Sequence, residues 1–154
     1  MADELIQVHE SLRVSAPDGA VVEIDAAMLP LVRRLWHMGL RTSGCCIDLG
    51  ESILGNAHLG EDPRHDRRRH GAFFAGQSWL RMPHDDAARL VALLGDDPDF
   101  GWRLRRWTHP EAWMVVGYLF PETEKGAAWA DTVQVHFPKI QMPDLLVALE
   151  DICP

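Results

Sequence analysis

Apolar residues recur along this chain with two different periods, and the changes between them mark out its elements. In Ser11-Leu12-Arg13-Val14 and Val21-Val22-Glu23-Ile24, apolar and polar positions alternate, as in a strand with one face buried. Ala16-Pro17-Asp18-Gly19 lies between them. Proline presets φ at the second turn position, aspartate suits the third and glycine tolerates positive φ, so a β-hairpin is expected. The period then lengthens. Leu31, Leu35 and Met38 share one helical face, widened by Val32 and Trp36, which predicts a helix over Ala26 to Met38. Asp25 is placed to cap it, Gly39 to stop it, and Pro30 favours a regular start near that residue.

Leu40 to Leu49 reads as a strand, and Gly50 to Gly76 as a long loop with little periodicity and at most a short helix around Glu51 to Asn56. Gln77 to Met82 is predicted as a strand, followed by a helix with Asp85 and Asp86 in its first turn and Ala87, Leu90, Val91 and Leu94 as its buried stripe. Trp102 to Trp107 and Ala112 to Phe120 read as two strands of a hairpin. Thr132 to Phe137 alternates, with Val133, Val135 and Phe137 inward. Pro143, at a first helical position, opens a last helix striped by Leu145, Leu149 and Ile152. Strands and helices do not alternate strictly. The expectation is an α+β fold: one domain over residues 1–154, a mixed, mainly antiparallel sheet, and about three helices packed on one face of it.

Composition narrows the function classes. At 154 residues, 47% hydrophobic and 25% charged, the chain matches a globular domain able to bury a core. No apolar run reaches the ~18–20 residues that span a bilayer, and Met-Ala-Asp-Glu-Leu-Ile-Gln lacks a signal peptide's basic start. A soluble, cytoplasmic protein with no membrane partner is expected. A net charge of −8 argues against general nucleic-acid binding. Three cysteines, an odd number, fit reduced thiols better than a disulfide framework.

Candidate chemistry gathers between Leu40 and His70. Side chains alternate across a strand, so Cys45 and Cys46 should face opposite ways, one as a small core residue and one toward a cleft. Asp48 then shares the face of Cys46, with Thr42 farther along. His58, His65 and His70 follow in the loop and could, with a cysteine or Asp48, supply ligands for zinc. Their spacing matches no known metal motif, and a solvated polar loop is the simpler explanation of them. Arg67 and Arg68 in the same loop, and Trp107 on an arginine-tryptophan hairpin face, are candidate ligand contacts.

Three readings follow. The first is a small binding or regulatory protein that uses the 45–70 region to engage a ligand, metal or protein partner. The second is a cysteine-nucleophile enzyme, using Cys46 or Cys45 with a loop histidine and Asp48. The third is nucleic-acid recognition by the 102–113 hairpin. No glycine-rich phosphate loop or serine nucleophile elbow is present.

Overall fold

The computed structural model describes residues 4–59, 66–106 and 108–154. Strands β1 (Ser11–Ser15) and β2 (Val21–Asp25) form the expected hairpin, with Ser11 opposite Asp25 and Val14 opposite Val22. Its turn is closed by Gly19 at φ +86° and by the Asp18 carboxylate, which accepts from the Ala20 N–H. A 3-10 turn (Ala26–Met28) leads into helix α1 (Leu29–His37), with Pro30 in the first turn, where a missing N–H costs nothing. Gly39, at φ +74°, ends it.

After β3 (Gly44–Cys46) come α2 (Leu49–Gly55) and α3 (Arg67–Phe74), then β4 (Gln77–Pro83) and α4 (His84–Gly95). A 3-10 helix (Gly101–Arg105), β5 (Met114–Phe120), β6 (Ala128–Pro138), a 3-10 turn (Lys139–Gln141) and α5 (Met142–Ile152) complete the order. The second sheet runs β3-β4-β6-β5. Every pairing among the described strands is antiparallel, so the α+β class holds and the expected mixed sheet is replaced by two antiparallel ones.

One face of the four-stranded sheet carries Leu80, Met82, Val135 and Phe137, each at most 1% exposed. Leu31 and Leu35 of α1, Leu90 and Leu94 of α4, and Leu145 and Leu149 of α5 join them in one core cluster. The other face carries Trp79 and His136, which pair across β4 and β6, and Phe74 of α3 lies against His136 at 5.1 Å. Helices therefore contact both faces, where one was expected. Among the described residues there are five α-helices where about three were expected, and none is long and apolar enough to cross a membrane.

The two additional helices explain several departures from the sequence reading. The strand expected over Leu40 to Leu49 is only three residues long, because the Asp48 side chain accepts from the Glu51 N–H and starts α2 at the next residue. Asp66 starts α3 the same way, accepting from the Arg68 and Arg69 N–H groups. The loop expected over 50–76 thus contains two short helices. They approach so closely that a Cβ on Gly50 would lie 2.3 Å from the Ala75 nitrogen and 2.5 Å from the Gly71 oxygen. Glycine serves there as a packing residue rather than a hinge.

The arginine-tryptophan strand is also corrected. Asp97 Oδ1 accepts from the Asp99 and Phe100 N–H groups, turning the chain into the 3-10 helix, which takes up Gly101–Arg105 where a strand from Trp102 was expected. Arg103 and Arg106 stack on Trp102, and Arg103 also pairs with Asp144 at 2.8 Å. β5 pairs with β6 instead, and Trp113 is buried, stacked on Phe137 and donating to Gln141 Oε1.

Candidate metal centre

Three segments far apart in sequence meet where β3 ends. The strap 4–10 crosses α2, held by Asn56, which accepts from the Ile6 N–H at 2.7 Å and donates to the Ile6 carbonyl at 2.9 Å. Val8 fills the space above Gly55, where a Cβ would come within 2.4 Å of its methyl group. These contacts set His9 above β3. From below, Asp25 at the end of β2 presents Oδ2, which accepts from the Ile47 N–H at 2.8 Å. Cys46 completes the meeting point.

His9 Nδ1 lies 3.6 Å from Cys46 Sγ and 3.3 Å from Asp25 Oδ2. Ser52, from the first turns of α2, places its Oγ 3.2 Å from the same sulfur and 3.4 Å from the same nitrogen. Ligand-capable atoms of His9, Asp25 and Cys46 all lie within 4.8 Å of one another.

The other ring nitrogen of His9 is occupied. Nε2 meets Glu51 Oε2 at 2.9 Å, while Nδ1 faces Cys46, Asp25 and Ser52. Glu51 is in turn held by Lys139 Nζ at 3.3 Å, and Lys139 reaches Asp48 Oδ2 at 2.8 Å. The contacts with His9 and then Lys139 hold the Glu51 carboxyl below its ordinary range. Burial alone would raise the Asp48 carboxyl, but Lys139 and the Glu51 and Gly76 N–H groups outweigh it and hold it low. A chain of charges thus runs from the start of α2 to the imidazole.

The cysteines divide as strand geometry requires. Cys45 packs against the core, and burial pushes its thiol up to about 12. Cys46 faces His9 and Ser52. Its thiol is also pushed up, first by burial and also by the Asp25 carboxylate, against a lowering hydrogen bond from Ser52.

Beside the cluster opens a cavity of about 610 Å³, lined by Leu5, Ile6, Val8 and Ile53 on its apolar side and by Asn56, Glu23 and Arg67 among its polar groups. His9, Asp25, Ser52 and the half-buried Cys45 are part of its wall, whereas Cys46 is buried and is not.

The residues singled out from sequence take different places. Asp48 turns away from the sulfur to cap α2. Thr42 accepts from Trp36 Nε1 at 3.0 Å, on the other side of β3. Arg67 lines the cavity and reaches the Asn56 carbonyl, whereas Arg68 is exposed on α3. His58 is exposed, its Nε2 3.4 Å from the Glu4 carbonyl, and the His70 ring lies 5.0 Å from Phe74. His65 and Trp107 lie outside the described residues. Of the five groups now in view, the sequence had pointed to Cys46 alone, with Asp25 expected only as a helix cap. His9, Ser52 and Glu51 carried no local signal of ligation, though the Asp48-x-x-Glu51 pattern announces the helix that positions two of them.

No protein-family model, no curated protein and no solved structure matches this chain.

Proposed function

We propose that the chain binds a divalent ion of the zinc class through His9 Nδ1, Asp25 and Cys46 Sγ, and presents it to a small ligand in the adjoining cavity. The spacing of the donors carries this reading. With bonds of ~2.3 Å to sulfur and ~2.0–2.1 Å to nitrogen or oxygen, tetrahedral angles put neighbouring donors about 3.4–3.6 Å apart. His9 to Cys46 at 3.6 Å and His9 to Asp25 at 3.3 Å match two of those edges, and all three donor atoms lie within 4.8 Å of one another.

The surroundings support it too. A metal-bound imidazole ordinarily donates its second N–H to a carboxylate, with Glu51 in that place for His9 Nε2, and ligating carboxylates are themselves hydrogen-bonded, as Asp25 is by Ile47. Mixed nitrogen, sulfur and oxygen donors suit zinc better than magnesium or calcium, which prefer all-oxygen shells.

A thiol nucleophile is the second reading. Cys46, His9 and Glu51 stand in the order nucleophile, base and orienting carboxylate, at 3.6 and 2.9 Å. A reactive thiolate, however, sits in electropositive surroundings that lower its pKa, whereas Cys46 is buried beside Asp25. A divalent cation removes that conflict, since a coordinating thiol is deprotonated outright.

Metal analysis after loading and gel filtration tests the proposal. One equivalent of zinc per chain is expected, lost in His9→Ala and Cys46→Ala and retained in His58→Ala and His70→Ala. At a free concentration of 100 times Kd, the ion should stabilise the fold by about 2.7 kcal/mol. No bound zinc and an unchanged Tm would remove it. Rapid alkylation of Cys46 at neutral pH, abolished by His9→Ala, would instead favour the nucleophile.

A further inference from the structure

Resting on the metal reading above, we infer that Ser52 holds the fourth coordination position and is displaced by an incoming ligand, one with an anionic donor head on an apolar body. The Ser52 hydroxyl already stands at a vertex of the donor cluster. Its distances of 3.2 Å to Cys46 Sγ and 3.4 Å to His9 Nδ1 are near the edges set by the other donors. A neutral hydroxyl is the weakest donor of the four, beside a thiolate, a carboxylate and an imidazole. It is therefore the one that exchanges.

Position agrees with chemistry. Ser52 belongs to the cavity wall, so a molecule in the cavity reaches the Ser52 vertex without disturbing Cys46, which is buried and not part of that wall. Moving the hydroxyl aside needs only a change of χ1 rotamer, with α2 left in place. The thiolate and the Asp25 carboxylate neutralise a divalent ion, and Arg67 in the same wall offsets the charge of Glu23 there.

The cavity specifies the rest of the ligand. At about 610 Å³ it falls within the ~300–1,000 Å³ usual for small-molecule sites, well beyond what water requires. Leu5, Ile6 and Val8, on the strap that carries His9, expose much of their side chains beside it and offer an apolar surface. A carboxylate head at the ion and an alkyl chain along the strap satisfy both walls.

Cobalt(II)-loaded protein gives the test, because sulfur-to-cobalt charge transfer reports Cys46 and the visible d–d bands report the fourth ligand. Titration with acetate and with octanoate should shift the d–d bands, octanoate binding at least tenfold tighter. Ser52→Ala should still take up one cobalt and bind octanoate severalfold tighter than wild type, having no hydroxyl to displace. Ser52→Cys should take up cobalt with added charge-transfer intensity and lose the octanoate response at least tenfold. Equal affinities for the two acids, or three proteins that titrate alike, would overturn the inference while leaving the metal in place. Failure of the wild type to take up cobalt would instead remove the metal reading on which it rests.

Discussion

Replacing Asp48 by alanine is expected to destabilise the fold by about 3 kcal/mol and to loosen the proposed metal centre with it. The carboxylate is 2% exposed and accepts from the Glu51 and Gly76 N–H groups and from Lys139. Loss of the helix-capping bond costs about 1 kcal/mol. Leaving the Gly76 N–H without its acceptor adds about 1–3 kcal/mol. Lys139 is 42% exposed and recovers water, so its ion pair is discounted to under about 1 kcal/mol. For a chain of this length, each kcal/mol moves Tm by about 2–4 °C, giving a fall of roughly 6–12 °C. Urea denaturation at pH 7 measures the free energy, with an unchanged m value showing that the same transition is compared. Asp48→Asn, which keeps one acceptor oxygen, should lose about half as much. The sign with pH follows from the lowered carboxyl: its contribution is complete above the unfolded value near ~3.9 and disappears as pH falls through the folded one. A loss below about 1 kcal/mol in the alanine variant would refute the assignment of Asp48 as the residue that seats α2.

Three further outcomes are expected. Burial holds the His136 imidazole down to about 4, so the unfolded chain binds the extra proton between there and ~6.5, and stability falls as pH drops through that window; wild type should lose about 3 kcal/mol more than His136→Phe between pH 7 and pH 4, and parallel urea curves would contradict this. Gly50→Ala should cost about 3 kcal/mol, because its Cβ meets the Ala75 backbone, whereas Gly95→Ala, with open space around it, should be neutral or stabilising by about 0.5 kcal/mol; equal Tm values for the two would exclude the close helix crossing. In titration of the metal-free native protein with a reporter disulfide near pH 8, Cys45 and Cys46 should react only slowly and all three thiols rapidly in urea; a fast Cys46 would show that its thiol is not held up by burial.

The parts of the fold that were legible in sequence are those whose periodicity is long and one-sided. α1, α4 and α5 each bury one face, and β4 and β6 their apolar face, against the same core, and the stripes are plain in Leu31/Leu35, Leu90/Leu94, Leu145/Leu149, Leu80/Met82 and Val135/Phe137. α3 was hidden and α2 read only as a possible short helix around Glu51 to Asn56, because they are eight and seven residues long and pack through Gly71 and Gly50, which read as loop residues when the partner helix is unknown. The 3-10 helix at Gly101–Arg105 was mistaken for a strand because Trp102, Leu104 and Arg106 alternate in composition, while the Asp97 turn that bends the backbone lies upstream. For the donor cluster the obstacle is distance along the chain. His9 and Cys46 are 37 residues apart, and no local spacing rule joins them.

The strap also carries a consequence for how the centre is read by experiment. One donor reaches the other two on a largely exposed stretch of backbone, held by Asn56 at Ile6, by Val8 over Gly55 and by the Ala26 N–H at the Glu10 carbonyl. Undocking that stretch withdraws the imidazole and opens the chamber in the same motion, while the buried leucines behind the sheet stay packed. An ion at the proposed site should therefore protect the amides of 5–9 from solvent exchange far more than those of α5, latching the lining of the adjoining cavity.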